Sequence, residues 1–328
     1  MEIRKIQIVC PANAVTGGPE SLHNLVAVLQ SLGEDASIVY YPFNIRAKTP
    51  DVYRHYGVAV DAFDDSRSTL VILPEIYYSL LRNIKNAKTA IWWLSLDNFL
   101  ERKYHNWRDK VRYFIKIIKR ERPLFGVKGI RCNFHLSKSY YDENYLNRRG
   151  IKTFRLAGPI SNFYLNAAQA RVHHNAGRKP EILYNSKKGT RATDILRKNL
   201  HELNFKSLGG MSEGELAAIY GEGMLYVDFG HHPGRERMPR EAAVMGCCVV
   251  TGRLGSAGNE FDIPIPPNFK IDQFHENFVR DFREISDRIF SDFPSQSKLF
   301  DSYRNEILKE PITQKANLLD FLKKIRAI

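Results

Sequence analysis

The densest group of chemically active side chains follows a strand-like apolar run at 224–230. Residues 229–243 (FGHHPGRERMPREAA) leave that run as a polar loop and enter a helix with Glu241 in its first turn. A carboxylate in this position can accept two hydrogen bonds from the vicinal hydroxyls of a ribose. Arg235, Arg237 and the amino end of the helix are suited to phosphate. The alternative interpretation is a charged loop in solvent.

The same loop contains two adjacent histidines, His231 and His232. Neighbouring side chains point in different directions, and no third ligand is spaced nearby, so the pair does not predict a metal site. We expect both histidines to contact the ligand bound at this loop instead.

Three further loops follow strand-like runs and offer either glycines or cations to a phosphate. Glycines let backbone N–H groups approach an anion closely, and a Gly-rich turn after a strand can form an anion-binding nest. Tight turns and solvated lysines are the ordinary alternatives. The candidate phosphate-binding residues of these loops are Gly17, Gly18, Lys187, Lys188, Gly255 and Ser256.

Carboxylates also lie at or beside predicted strand ends in the first half of the chain. Glu75 closes VILPE, Asp97 closes IWWLSLD, and Glu20 opens a helix. A general base needs such a position to reach a substrate proton. Each of them, taken singly, is more often structural.

The elements that position these residues alternate between strand and helix, twice over. Two such runs predict two doubly wound α/β domains, with a hydrophilic linker at 166–180. Ser212 and Glu215 form a helix capping box, and Pro239 suits the first position of a helix. The strand-like runs are 4–10, 36–41, 69–75, 89–97, 133–139 and 152–158 in the first half, and 180–186, 205–208, 224–230 and 247–252 in the second.

The charge of the chain is concentrated in one segment. The 328 residues carry a formal net charge of +13, and 101–132 alone holds 11 basic residues against three acidic ones. Within it, Trp107, Val111, Phe114, Ile115 and Ile118 share one helical face. A basic amphipathic helix can lie in an anionic membrane surface, whereas the alternative is a core-packed helix with a solvated basic face. The candidate membrane-contact residues are Trp107, Arg112, Lys116 and Lys119.

Several segments taken together resemble bacterial glycosyltransferases of the GT-B fold, most closely the family found in capsule and lipopolysaccharide gene clusters. The segments are 16–33 (TGGPESLHNLVAVLQSLG), 91–99, 205–220 and, most specifically, 226–266. The resemblance implies two Rossmann-like domains facing across a cleft. Residues 1–165 would hold a glycan or lipid-linked acceptor and 166–312 the nucleotide-sugar donor, with a terminal helix at 313–328 packing back on the first domain.

The resemblance also assigns roles to individual residues. Glu241 falls where related enzymes hold the donor ribose, Lys187 and Lys188 where a basic residue meets the diphosphate, and Gly17 and Gly18 at the N-terminal glycine loop. Enzymes that retain configuration often carry a second Glu eight positions before the first, where this chain has Pro233. An inverting enzyme needs a base, for which we name Asp97 and then Glu20. GT-B enzymes stabilise the departing diphosphate without a metal, and no Asp-x-Asp motif is present.

Two other interpretations compete with a glycosyltransferase. A dinucleotide-dependent enzyme shares the fold class but should show GxGxxG, which is absent. A non-catalytic protein with the GT-B fold is also compatible with the residues. No nucleic-acid-binding motif accompanies the charge. Because no signal peptide or CxxC pair is visible, we expect a cytoplasmic protein, peripheral on the inner face of the plasma membrane.

Overall fold

The computed structural model describes residues 3–44, 47–101, 107–170 and 177–327. The chain divides into two compact units. Unit 1 comprises Met1–Pro159 and Pro311–Ile328, and unit 2 comprises Ile160–Glu310.

Unit 1 is built on a six-stranded, wholly parallel sheet in the order β2-β1-β3-β4-β5-β6. Its strands are β1 (Lys5–Pro11), β2 (Asp35–Tyr41), β3 (Thr69–Pro74), β4 (Lys88–Trp93), β5 (Phe134–Ser137) and β6 (Phe154–Arg155). Its helices are α1 (Gly17–Ser31), α2 (Leu96–Phe99), α3 (Trp107–Ile118) and α4 (Tyr140–Asn147), with short 3₁₀ helices at Asp51–Tyr56, Glu75–Asn83 and Gly126–Gly129.

Unit 2 has a four-stranded parallel sheet in the order β10-β9-β7-β8. Its strands are β7 (Lys179–Tyr184), β8 (Asn204–Ser207), β9 (Gly223–Asp228) and β10 (Cys248–Thr251). Its helices are α5 (Asn162–Ala170), α6 (Thr190–Asn199), α7 (Glu213–Glu222), α8 (Met238–Val244), α9 (Phe278–Ser291) and α10 (Phe293–Lys298), with 3₁₀ helices at Ser256–Gly258 and Pro267–Phe269. The last helix, α11 (Asp301–Arg326), contributes residues up to Glu310 to unit 2 and from Pro311 to unit 1.

The central strands of unit 1 are buried on both faces, as their near-continuous apolar sequences predict. Successive side chains of a strand point to opposite faces. Trp92 and Trp93 are therefore both fully buried but lie in different apolar clusters, one on each side of the sheet. Helices cover both faces for this reason, and the predicted doubly wound α/β class is confirmed.

The strand orders place one switch point in each sheet. In unit 1 the chain passes from β1 to β2 on one side and then crosses to β3 on the other. In unit 2 it passes from β7 to β8 and then crosses to β9. Ligands of open α/β sheets bind beyond the carboxyl ends of the strands at such a point. The loops after β1 and β7 are therefore the first places to seek a site.

Two sequence expectations differ from the structure. Helix α5 extends into the predicted linker 166–180 as far as Ala170, because Tyr164, Leu165 and Ala168 pack into the core of unit 2. Residues 171–176 of that linker lie outside the described residues. The predicted strand 89–97 ends at Trp93, and Asp97 belongs to the short helix α2 instead of closing a strand.

Candidate active site

The loops after β7 and β9 meet at the switch point of unit 2. Gly189 has a φ of +64°, and a Cβ there would lie 2.6 Å from the backbone N of Gly230. A Cβ on Gly230 would in turn lie 2.9 Å from the Cβ of Lys188. No larger residue fits either position without moving backbone. Two glycines therefore hold the β7 and β9 loops against each other.

The two predicted diphosphate-binding lysines have different environments. Lys188 Nζ lies 2.5 Å from Glu236 Oε2, and Lys187 is exposed. The pKa of Lys188 is raised, because attraction to Glu236 and Asp228 outweighs the lowering effect of burial. The backbone N–H of Lys187 donates a hydrogen bond to Asn185 Oδ1 at 2.9 Å. Lys187 is thus the one whose ammonium group faces solvent at the strand edge.

The loops after β9 and β10 are hydrogen-bonded to each other. His232 N donates to Leu254 O at 3.2 Å, and Ser256 N donates to His232 O at 2.9 Å. The Ser256 hydroxyl donates to Gly234 O at 2.6 Å. Gly255 has a φ of +67°, and a Cβ there would collide with the His232 carbonyl oxygen. The predicted donor contacts Gly255 and Ser256 therefore join the two loops.

His232 lies in the loop after β9 and is fully buried. Its Nε2 lies 3.4 Å from Asp228 Oδ2, while Asp228 Oδ1 accepts a hydrogen bond from Gly230 N at 2.9 Å. Burial alone would raise the pKa of Asp228, but His232 and Lys188 hold it below its usual value. The donor contact of His232 therefore stays a prediction, and His231 is partly exposed.

Arg235, predicted to meet phosphate, is instead part of a buried ion triad. Its Nη2 lies 3.0 Å from Glu310 Oε1, and Arg240 Nη1 lies 2.6 Å from Glu310 Oε2. The Arg240 side chain is fully buried, and its Nε also donates to Glu236 O at 3.0 Å. Burial by itself would lower the pKa of Arg235, but the carboxylate of Glu310 raises it by more. The pKa therefore lies above its ordinary value, and the guanidinium stays charged. The triad fixes the β9 loop to helix α11.

Glu241, the predicted ribose acceptor, lies under the side chain of Arg237. Arg237 Nε donates to Glu241 Oε1 at 3.0 Å, and only 1% of Glu241 is exposed. Burial raises the pKa of Glu241, although Arg237 acts against the shift. The Arg237 guanidinium thus covers the carboxylate that the sequence assigns to a ribose, and this assignment stays a prediction.

The glycine loop at the switch point of unit 1 is held by a residue that sequence reasoning missed. The Tyr53 hydroxyl donates to Thr16 O at 2.8 Å and accepts from Thr16 N at 2.9 Å. Tyr53 stacks on His23, with ring centroids 4.6 Å apart. Gly17 and Gly18 follow directly as the first residues of α1. No local pattern marks Tyr53, which lies 37 residues away.

The three candidate carboxylates of unit 1 differ in accessibility. Asp97 is fully buried and accepts from the Tyr141 hydroxyl at 2.7 Å. Glu75 is buried and accepts from Leu94 N at 2.9 Å, and burial raises its pKa to about 7. A base must reach the proton that it removes. Burial thus speaks against Asp97, whereas Glu20 is partly exposed in the first turn of α1.

A buried lysine at the end of β5 was also missed. Lys138 Nζ donates to Ser21 Oγ at 2.9 Å, which places a cation beside the first turn of α1. Its position one residue after a strand is the signal that could have found it.

A cavity of 520 Å³ lies elsewhere in unit 2, beyond the edge strand β10. Its charged lining is mixed: Arg253, Lys270 and Arg288 lie beside Asp272, Asp281 and Glu284. Burial lowers the pKa of Lys270 to about 8. None of the predicted donor residues lines this cavity, so we assign the candidate site to the strand edge at the switch point.

Helix α3 carries Trp107, Arg112 and Lys116, which were predicted to contact a membrane, and the fourth such residue, Lys119, directly follows it. The five apolar side chains of the predicted membrane face, Trp107, Val111, Phe114, Ile115 and Ile118, are exposed, which excludes the alternative that this face packs on the core. Lys116 and Arg112 are paired with Glu101 and Asp109, whereas Lys119 is exposed. In the described part of the chain, no helix has the length and apolar character needed to cross a bilayer.

No protein-family model and no curated protein matches this chain. Within the described ranges, no group of three or more His, Cys, Asp or Glu side chains is arranged to hold a metal ion.

Solved structures, by contrast, match over nearly the whole chain. Sucrose-phosphate synthase from Thermosynechococcus elongatus is 13% identical, covers 99% of both chains and has a TM-score of 0.66. HepE from Anabaena, in complex with UDP-glucose, is 10% identical over 98% of this chain and 99% of that one, with a TM-score of 0.64. An α-glucosyltransferase in complex with UDP and a 13-mer DNA is 12% identical, and the match covers 97% of this chain and 99% of that one with a TM-score of 0.59.

The chain has the GT-B fold. At these identities the likeness establishes the architecture and leaves the chemistry to the residues. The predicted fold class is confirmed by the two parallel sheets and by the full-length structural matches.

Proposed function

We propose that this protein is a glycosyltransferase that moves a sugar from a nucleotide-sugar donor to a glycan or lipid-linked acceptor. The observation that carries the proposal is the switch point of unit 2, where Gly189 and Gly230 hold the β7 and β9 loops against each other. Lys187 lies in the first of these loops, and Arg237 and Glu241 lie where the second enters α8. Cations suit a diphosphate, and the carboxylate suits a ribose. UDP or UDP-glucose bound to structures of the same fold favours a uridine nucleotide as the first donor to test.

The residues of the site would stabilise the departing diphosphate. Negative charge grows on that group in the transition state, and fixed cations in a partly dry site lower its energy. We assign this role to Lys187 and, once a ribose occupies Glu241, to Arg237. Lys188 would act through Glu236 by keeping the β7 loop in place. We propose that no metal is required, so chelation with EDTA should leave the rate unchanged.

Unit 1 would bind the acceptor, with Glu20 as the preferred base if the reaction inverts configuration. Glu20 lies beside Gly18 in the first turn of α1 and is partly exposed, whereas Asp97 is buried. The sequence resemblance of 226–266 supports a role in bacterial capsule or lipopolysaccharide synthesis, at the inner face of the plasma membrane. One structural match was solved with DNA, but we do not propose nucleic acid as the acceptor, because the basic residues of 101–132 alternate with aliphatic ones.

Calorimetric titration with UDP, ADP, GDP, CMP and TDP tests the donor site. We expect one nucleotide to bind, and Lys187→Ala to weaken it by about 10- to 100-fold, the value of a hydrogen bond to a charged group. Glu241→Gln should weaken nucleotide binding by a similar factor. Lys198→Ala, an exposed lysine on α6, is the matched control and should bind normally.

Three outcomes would redirect the proposal. Binding of NAD in place of the nucleotides would favour a dinucleotide-dependent enzyme. Unaltered binding in both Lys187→Ala and Glu241→Gln would place the donor elsewhere. Nucleotide binding without sugar transfer, across a panel of donors and lipid-linked acceptors, would favour a non-catalytic protein of this fold.

A further inference from the structure

Helix α3 packs on unit 1 through one narrow stripe. Asp109, Tyr113 and Lys116 recur at intervals of four and three residues, and successive helical residues are about 100° apart. Asp109 is buried, the Tyr113 hydroxyl donates to Pro123 O at 3.3 Å, and Lys116 Nζ lies 2.6 Å from Glu101 Oε1. These polar contacts orient the helix around its axis.

The opposite face of α3 is apolar and exposed. Its members lie roughly 180° around the axis from the packed stripe, and between 44% and 69% of each is accessible. Leu124 and Phe125, after the end of the helix, are 67% and 76% exposed. A soluble surface rarely carries so many large apolar side chains together. The helical members are Trp107, Val111, Phe114, Ile115 and Ile118.

Basic residues flank this apolar stripe on both sides. On the helical wheel, Arg108 falls on one flank and Lys110 on the other, about 60° to 100° from its centre. Lys119 directly follows the helix, and its N–H still donates to Ile115 O, so it continues the flank of Arg108. All three are exposed. Apolar residues at the centre and cations at the edges match a bilayer, where acyl chains lie below a layer of anionic headgroups.

We propose that the exposed face of α3, with Leu124 and Phe125, docks on an anionic lipid bilayer. A second copy of the chain fits the same face poorly, because a twofold contact would bring identical cationic flanks together. Membrane binding rests on the proposed function only in that it would bring the enzyme to a lipid-linked acceptor. The binding itself needs neither donor nor acceptor and is measured without them.

Sedimentation with lipid vesicles tests the docking directly. We expect the full chain to sediment with phosphatidylcholine vesicles that contain phosphatidylglycerol and to stay in solution with phosphatidylcholine alone. Lys110→Glu with Lys119→Glu should weaken binding by about 10-fold or more. Lys198→Glu with Lys298→Glu changes the net charge equally at exposed sites in unit 2 and should bind like the wild type.

The apolar contribution is tested by Phe114→Ser with Ile118→Ser, again with at least about 10-fold weaker binding expected. Both side chains are exposed, so the fold should survive. Phe274→Ser with Ile312→Ser is the matched control, since these residues are also exposed but lie outside α3. Equal binding by the Phe114 and Ile118 variant and its control would overturn the proposal.

Fluorescence gives a second measurement that does not depend on mutation. Of the three tryptophans, Trp92 and Trp93 are fully buried and Trp107 is 69% exposed. A blue shift on adding anionic vesicles would therefore report Trp107 entering the interface. No shift and no sedimentation would refute the docking, as would a dimer that Phe114→Ser dissociates. Calorimetry with nucleotide on the same variants keeps this result separate from the donor site, which should be unchanged.

Discussion

Replacing Glu310 by glutamine should destabilise unit 2 more than any single surface change. Glu310 is buried and is the shared partner of Arg235 and Arg240. Glu310→Gln keeps the shape of the side chain but removes its charge. Two guanidinium groups, one of them fully buried, would then lose the carboxylate that they share.

The magnitude follows from burial. Removing one partner of a buried ion pair typically costs about 3–5 kcal/mol. Arg240 keeps its hydrogen bonds to the Glu236 and Arg235 carbonyl oxygens, which offsets part of the loss, so we expect about 3 kcal/mol. For a unit of this size, each kcal/mol lowers the Tm by roughly 2–4 °C. The Tm of the unit 2 transition should therefore fall by about 6–12 °C.

Differential scanning calorimetry measures this change, with Glu222→Gln as the control. Glu222 pairs with Lys179 at 2.8 Å, but both side chains are about half exposed. An exposed pair contributes at most about 1 kcal/mol. A variant with methionine at Arg235, Arg240 and Glu310 should recover part of the lost stability, because it leaves no buried charge unpaired.

A Tm for Glu310→Gln within about 2 °C of the wild type, or equal to that of Glu222→Gln, would refute this reasoning. It would mean that water or a rearranged side chain reaches the two arginines. A triple variant less stable than Glu310→Gln would show that the arginines act mainly through backbone hydrogen bonds and not through the ion pairs.

Two further changes test other parts of the fold. Burial lowers the pKa of His135 to about 4, below its ordinary value of about 6.5, so the unfolded chain binds the proton first. The contribution of neutral His135 to the free energy of unfolding is then fully present above pH ~6.5, and about 2.5 kcal/mol of it is lost by pH ~4.5. His135→Gln should remove this pH dependence, which urea denaturation at a series of pH values measures. Gly255→Ala should lower the free energy of unfolding by about 2 kcal/mol, because the new Cβ collides with the His232 carbonyl oxygen. Gly210→Ala should cost less, since Gly210 also has a positive φ but a Cβ there would meet no atom within 4 Å. Equal losses for the two glycine variants would assign the effect to φ alone.

Much of the fold could be read from local patterns. Buried parallel strands are short, continuous apolar runs, so all ten strands, β1 to β10, were located from the sequence. The capping box of Ser212 and Glu215 is present as predicted, because it depends on residues three apart. The positions of the polar loops after the strands followed from the same order of elements.

The partners of the polar side chains were decided only by the tertiary structure. Arg235 and Lys187 were equal candidates for phosphate in the sequence, yet Arg235 pairs with Glu310, far along the chain, and Lys187 stays exposed. Long-range ion pairs leave no local signature. Burial then determines whether a charge binds a ligand or stabilises the loop that carries it.

Helix α3 shows the same division. The spacing of its apolar residues determined that it is an amphipathic helix, because periodicity is a local property. Periodicity cannot tell which face packs on the protein. That was decided by Asp109 and by the ion pair between Lys116 and Glu101, which turn the apolar face outward. The sequence determined the elements and their order, while packing decided which of their faces are available for function.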